Sequence, residues 1–145
     1  MHDAPTLRRL VPGDDALALR VARDVHERSD VDPAAIAAFL TDPLCLWVVS
    51  LDDDEPLGAA LGHVLRRPHS LRADALLYEV DVRAPWRRRG VGRRLVESFV
   101  AAARGAGAAE VWVPTTRSDA AALALYLRCG FTPLHADDTL LARAT

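Results

Sequence analysis

The sequence predicts an α/β fold with a mixed, mostly antiparallel sheet flanked by helices. Three observations carry that prediction. Residues 45–51, 57–67 and 76–82 are apolar runs rich in branched and aromatic residues, joined by polar breaks, as in an antiparallel meander. The third run passes through Arg83-Ala84-Pro85-Trp86 into a glycine-bearing loop, residues 87–92, that opens an amphipathic helix. A fourth run, residues 110–113, follows that helix, and a helical crossover should lay it parallel to the third.

Taken in order, residues 6–11 form a first strand stopped by Pro12-Gly13. Asp14 and Asp15 place acids at the start of a helix over residues 16–22. Residues 26–31 are polar and uncommitted. Asp32-Pro33 then starts a second helix, an N-cap acceptor followed by proline at the first helical position, with Ile36, Phe39 and Leu40 as its apolar face and Pro43 as its stop. The acidic run at residues 52–55 reads as a solvated turn, not a metal site, between the first two strands of the meander. Gly58 and Gly62 lie inside the returning strand, and residues 68–74 read as a polar loop. Val91, Leu95, Phe99, Val100 and Ala103 recur on one face of the next helix, which should end near Gly105 and Gly107. Ser118-Asp119 cap a helix over residues 120–128, closed by Gly130. Residues 131–134 and 139–142 read as short closing strands. With no repeat and no internal linker, one domain over residues 1–145 is expected.

Composition narrows the function. A net charge of −2 offers no overall basic field for nucleic acid or membranes. All 18 basic residues are arginine, so there is no P-loop lysine and no Schiff-base lysine. Cys45 and Cys129 sit singly among apolar residues, which speaks against structural zinc and predicts buried, reduced thiols. The first residues lack the apolar run of a signal peptide, and no stretch approaches the roughly 18 apolar residues of a membrane span. A cytoplasmic protein is expected.

A helix beginning near residue 91 aims unpaired N–H groups and the positive end of its dipole at the preceding loop, a ready phosphate site. Arg87, Arg88 and Arg89 add charge there, and Gly90 and Gly92 permit close approach of a ligand. Upstream, Glu79 and Asp81 occupy alternate positions of an apolar strand, so they face one side unless a bulge intervenes. Burying carboxylates is costly unless they are used or paired. Two readings stay open. Glu79 is a general base or the anchor for a cationic amine, directly or through water, or one carboxylate is paired with Arg66, Arg67 or Arg83. His63 reads as a packed or edge histidine that could face an acceptor cleft, and His26 as a candidate acceptor-site residue. His2, His69 and His135 read as surface residues, Trp47 and Trp112 as core, and Trp86 as cover for the loop.

Two motifs at the starts of successive helices carry a family resemblance. Arg87-x-x-Gly90-x-Gly92 and Asp119-x-x-Ala122-x-x-Leu125-Tyr126-x-x-x-Gly130-Phe131, in this element order, resemble the GNAT superfamily of acetyl-coenzyme A-dependent N-acetyltransferases. The superfamily's usual asparagine is Asp119 here. Residues 62–68, 77–82 and 110–113 are similar to the fortimicin-type aminoglycoside 3-N-acetyltransferases. The resemblance covers residues 45–134 well and the N-terminal third loosely.

It implies that Arg87, Arg88, Arg89, Gly90, Val91, Gly92 and Arg93 hold the pyrophosphate of acetyl-coenzyme A, with Arg94 also in reach. The strand before the loop would splay from its neighbour, so that backbone groups around Val80 to Val82 pair with the pantetheine arm and an N–H polarises the thioester carbonyl. Tyr126 would be the general acid that protonates the leaving thiolate, its plainer reading being a core-edge tyrosine. Asp119 is first a helix N-cap and only secondarily a cofactor contact. Glu79 and Asp81 would face the acceptor. The implied reaction is direct attack, in a ternary complex, by the primary amine of a small cationic substrate, an aminoglycoside being the sharpest case. A homodimer is also implied. Acetylation of a protein N-terminus or a charged tRNA, and an acyl-coenzyme A-binding regulatory domain without turnover, stay open.

Overall fold

The computed structural model describes residues 4–135, 137 and 139–144. Five strands form one sheet in chain order: β1 (Thr6–Arg9), β2 (Cys45–Asp52), β3 (Glu55–Arg67), β4 (Ser70–Val82) and β5 (Ala108–Trp112). The first four are antiparallel to their neighbours, and β5 lies parallel to β4, as the helical crossover requires. Helices α1 (Asp15–Asp24) and α2 (Pro33–Thr41) cover one face, while α3 (Val91–Gly105) and α4 (Ala120–Arg128) cover the other.

Strand alternation feeds both layers. Leu46 and Val48 of β2 point toward α3, whereas Trp47, Val49 and Leu51 point toward α1 and α2. Asp32 caps α2 by accepting from the Ala34 N–H at 2.8 Å, and Asp119 caps α4 by accepting from Ala122 at 3.1 Å. Helix α3 buries Val91, Leu95, Val96, Phe99 and Ala103, with Val96 rather than Val100 completing the stripe. It lies on the glycines of β3. A Cβ at Gly62 would stand 1.9 Å from the Leu76 carbonyl oxygen and 2.7 Å from Phe99 Cζ, so only glycine fits there.

A bulge in β4 decides the faces of the site. The β3–β4 register steps from Leu61 opposite Glu79 to Gly62 opposite Leu77, leaving Tyr78 as the extra residue. Ala73, Ala75 and Leu77, then Val80 and Val82 beyond the bulge, therefore join the α3 core. Glu79 and Asp81 are turned to the α1–α2 side.

Several expectations are corrected. The predicted loop at residues 68–74 is a two-residue turn with β4 starting at Ser70, because Arg67 and Asp74 form a two-pronged ion pair that zips the hairpin shut. The closing strands are absent: residues 131–134 and 139–142 are irregular, with Leu140 and Leu141 more than four-fifths exposed. Pro133 withholds a ladder donor, and a short run without a partner strand or an apolar face does not hold. Trp112 is 38 % exposed rather than core, since edge strand β5 meets the sheet on one side only. Glu55 leaves the acidic turn to pair with both Arg20 and Arg83. Both cysteines are half-buried. His69 and His135 are exposed as expected, and His2 lies outside the described residues.

Candidate active site

Strand β4 pairs with β5 only from Ala73 to Leu76; from Leu77 to Val82 its ladder runs to β3 alone. The Arg83 N–H donates to the Leu57 carbonyl of β3 at 2.9 Å. By alternation the main-chain groups of Glu79 and Asp81 also point to β3, and those of Val80 and Val82 point to the open edge. The Val82 carbonyl accepts there from Arg87 Nε at 2.9 Å. The splay, invisible in the sequence, is present.

Below the gap lies the start of α3. Gly90 sits at φ +78°, a conformation disfavoured for residues with a Cβ, and makes no side-chain cap. The N–H groups of Val91, Gly92 and Arg93 precede the first helical bond, which runs from Arg94 to the Gly90 carbonyl. The arginine run divides its labour. Arg87 holds the turn to Val82, Arg89 stacks over Trp86 at 5.2 Å, and Arg93 pairs with Glu97 at 3.0 Å. Arg94 reaches away to the Pro5 carbonyl at 2.8 Å, so its expected reach toward a phosphate is corrected. Arg88, at φ +58°, makes no side-chain hydrogen bond or ion pair among the described residues. Free helix-start donors, an unengaged guanidinium and open space beside Gly90 fit a pyrophosphate.

Tyr126 projects from α4 into the core near this edge, 9 % exposed, its ring 5.8 Å from Phe131. Burial raises its phenol pKa, and the charges of Asp119 and Asp81 raise it further, so the hydroxyl keeps its proton at neutral pH. It is a donor by environment. The Asp119 carboxylate is engaged in its N-cap.

On the α1–α2 side, α1 ends at Asp24 and the chain folds back after Val25, with the His26 and Arg28 N–H groups donating to Val21 and Ala22 carbonyls and Glu27 at φ +54°. This closure aims His26 and Arg28 at the carboxylates of β4. His26 Nδ1 donates to Asp81 Oδ2 at 2.7 Å and lies 3.5 Å from Glu79 Oε1. Trp47 Nε1–H donates to His26 Nε2 at 3.2 Å. Arg28 donates to Glu79 Oε1 at 3.0 Å. The predicted arginine partners are corrected: Arg67 pairs with Asp74 and Arg83 with Glu55, while Arg66 makes no ion pair among the described residues. Phe39, His63 and the bulged Tyr78 continue an aromatic row beside the cluster.

The two carboxylates differ. Burial raises the Glu79 pKa, and a hydrogen bond with Asp81 adds to the rise, more than His26 and Arg28 offset. Burial also acts to raise Asp81, but hydrogen bonds with His26 and Glu79, joined by the charges of His26 and Arg28, outweigh it and hold Asp81 below its ordinary value. Both face a cleft of about 280 Å³ that His26, Arg28, Arg83 and Arg87 help to line. His26, Glu79 and Asp81 also form a possible three-ligand cation set within 4.8 Å. The ring nitrogens argue against it: Nε2 spends its lone pair on Trp47 and Nδ1 carries the proton, so neither is free for a metal.

Glu79, Asp81, Tyr126 and the loop were legible in the sequence as candidates. His26 was legible there without a partner and Trp47 only as core, while the contact of Arg28 depends on the fold-back after α1 and has no signal in the sequence.

Strand β4, unpaired on one side beyond Leu76 and followed by an uncapped helix start, with a buried phenol on α4 and paired carboxylates on the α1–α2 side, offers the groups that acyl transfer requires. The model of the acetyltransferase (GNAT) family matches residues 15–131, and the chain belongs to that family. No curated protein matches the sequence. An aminoglycoside acetyltransferase from an uncultured soil metagenomic sample, in complex with sisomicin, is similar at TM-score 0.81 and 22 % identity, over 97 % of this chain and 95 % of that one. AAC(6')-Iy in complex with a coenzyme A–acetylneamine bisubstrate analogue gives 0.80 and 14 %, over 98 % and 100 %. Ribosomal-protein-alanine N-acetyltransferase from Brucella melitensis gives 0.71 and 14 %, over 98 % and 100 %. Such likenesses establish the shared fold, which serves different acceptors. Among the described residues, no helix is long and apolar enough to cross a membrane.

Proposed function

We propose that this chain moves acetyl from acetyl-coenzyme A to a primary amine of a small cationic acceptor, an aminoglycoside being the sharpest case, by direct attack in a ternary complex. The observation that carries the reading is the pair of carboxylates, Glu79 and Asp81, facing a cleft beside the open edge of β4. Arg28 supports the cationic acceptor: its guanidinium rests on Glu79, where an incoming ammonium would be attracted. The likeness in fold to acetyltransferases holding sisomicin and acetylneamine supports the same class.

Acetyl-coenzyme A supplies the acetyl group as a thioester. The N–H groups of Val91, Gly92 and Arg93, with the Arg88 guanidinium, hold its phosphates. The exposed main-chain groups of Val80 and Val82 align the pantetheine, and an N–H of that edge polarises the carbonyl. Asp81 and Glu79 draw in the acceptor's ammonium. Glu79, whose raised pKa makes it the better proton acceptor, takes a proton from that ammonium, directly or through water. As the amine nitrogen bonds to the carbonyl carbon and the carbon–sulfur bond breaks, Tyr126 gives its proton to the sulfur, and the second proton that the nitrogen sheds on becoming an amide restores the phenol through solvent.

The test is acetyl-coenzyme A-dependent thiol release with aminoglycosides, polyamines, amino acids and peptides. Turnover with aminoglycosides or polyamines well above that with amino acids and peptides is expected. A peptide N-terminus preferred over every small cation would overturn the acceptor class. Coenzyme A binding by calorimetry with no release on any amine would overturn the transfer reaction.

A further inference from the structure

We infer that Trp47 and His26 act as positioning residues that commit the two carboxylates to different tasks: Asp81 as the fixed anion that orients the acceptor's ammonium, and Glu79 as the group that receives its proton. The inference rests on the reading above, in which both carboxylates face the acceptor.

An indole N–H can only donate. Because Trp47 Nε1–H points at His26 Nε2, that nitrogen must present its lone pair, and the ring proton is left on Nδ1. Nδ1–H then donates to Asp81 Oδ2 at 2.7 Å, with the His26 side chain only 2 % exposed. Nothing in this chain of hydrogen bonds can reverse without leaving a buried polar atom unpaired. Asp81 is thus held on one oxygen by a buried donor, while its side chain stays 40 % exposed to the cleft.

Glu79 is treated differently. Its Oε1 lies 3.5 Å from His26 Nδ1 and takes its hydrogen bond from Arg28, a side chain 59 % exposed and tethered to the loop after α1. An arriving ammonium can displace Arg28 from Glu79, but it cannot displace His26 from Asp81. One carboxylate has a permanent partner and the other a removable one. The groups facing the pair are His26 and Arg28, with Asp24 and Glu27 at the rim, from the end of α1 and the segment after it. Arg83 and Arg87 come from the turn after β4, and the charge of Asp81 is felt at Tyr126 on α4. The opposite shifts of Glu79 and Asp81 agree with the division.

The first test needs no substrate. Nitrogen-15 NMR of the imidazole should show His26 as the Nδ1–H tautomer in the intact protein. Trp47→Phe, which keeps an aromatic ring and deletes the donor, should release Nε2 and give a mixture of tautomers. An Nε2–H tautomer in the parent protein, or an unchanged spectrum in Trp47→Phe, overturns the inference.

The second test is kinetic, against the best amine found. Trp47→Phe should lower kcat, approaching about 100-fold, move the acid limb of the pH profile of kcat/KM, and leave KM for acetyl-coenzyme A unchanged. His26→Asn, whose side-chain N–H can replace Nδ1–H, should retain more activity than His26→Phe. A His26→Phe enzyme with parental kcat and pH profile overturns the inference. If that variant does not fold, the Trp47→Phe results decide. If the parent protein turned over no amine, the reaction reading would fall while the NMR result still decided the hydrogen-bond order.

Discussion

Replacing Gly62 with alanine would add a single methyl group where β3 meets both α3 and the β4 bulge. That Cβ would start 1.9 Å from the Leu76 carbonyl oxygen, and the gap must open to at least about 3 Å. The obstacle is backbone: Leu76 is paired to His63 on one side and Trp112 on the other, so its carbonyl cannot turn aside without breaking a ladder. Overpacking that side chains can absorb costs about 1–3 kcal/mol. A rigid main-chain oxygen, with Phe99 Cζ also at 2.7 Å, places Gly62→Ala at about 3 kcal/mol or more. At this chain length that is a fall of roughly 10 °C in Tm, read by thermal and urea unfolding under far-UV circular dichroism. Gly105→Ala is the control: nothing lies within 4 Å of its Cβ, and a gain of roughly 0.5 kcal/mol is expected from the stiffer unfolded chain. Turnover should fall with Gly62→Ala, because the bulge beside it sets the face on which Glu79 and Asp81 lie. A Gly62→Ala protein melting within about 2 °C of the parent would refute the account of both the contact and the bulge.

Tyr126→Phe keeps the ring against Phe131 and removes only the proton donor, so kcat should drop about 10²–10⁴-fold with coenzyme A affinity unchanged; equal turnover would sink the acid role. Gly90→Val forces a branched residue into φ +78° at the phosphate site, and calorimetry should show coenzyme A binding lost, an unchanged affinity counting against the loop assignment. Arg28→Ala removes the cation resting on Glu79, and KM for a polyamine acceptor should fall by about threefold or more, in keeping with an exposed ion pair worth less than about 1 kcal/mol; a raised KM would make Arg28 a binding residue instead. The carboxylates should separate in stability against pH. Asp81, held low in the fold, adds stability above the ordinary carboxylate range that is lost as pH falls through its own pKa. Glu79, held high, favours the fold below that range, and this is lost as pH rises through its folded pKa. At neutral pH Glu79→Gln should therefore raise Tm and Asp81→Asn should lower it, and the reverse order would contradict the assigned shifts.

What the sequence settled was local. Strand and helix order as far as α4 followed from periodicity and from short-range chemistry: Asp32-Pro33 and Asp119 at helix starts, branched residues at 45–51, and glycines at the loop before α3. The family resemblance followed too, because its motifs are the loop and the helix start themselves. Tertiary structure decided which way these residues face and whom they touch. A one-residue bulge at Tyr78 separates Leu77 from Glu79, and strand alternation cannot reveal it because the register depends on the partner strand. The five arginines of residues 87–94 look alike in sequence, yet the folded turn gives Arg87, Arg89 and Arg93 separate nearby partners and Arg94 one 89 residues away at Pro5. The pairing of Trp47 with His26 and of His26 with Asp81 spans 21 and 55 residues of chain. It comes into being only when the segment after α1 folds back over the sheet, because a hydrogen bond's geometry is a property of the assembled fold and not of either residue's neighbourhood.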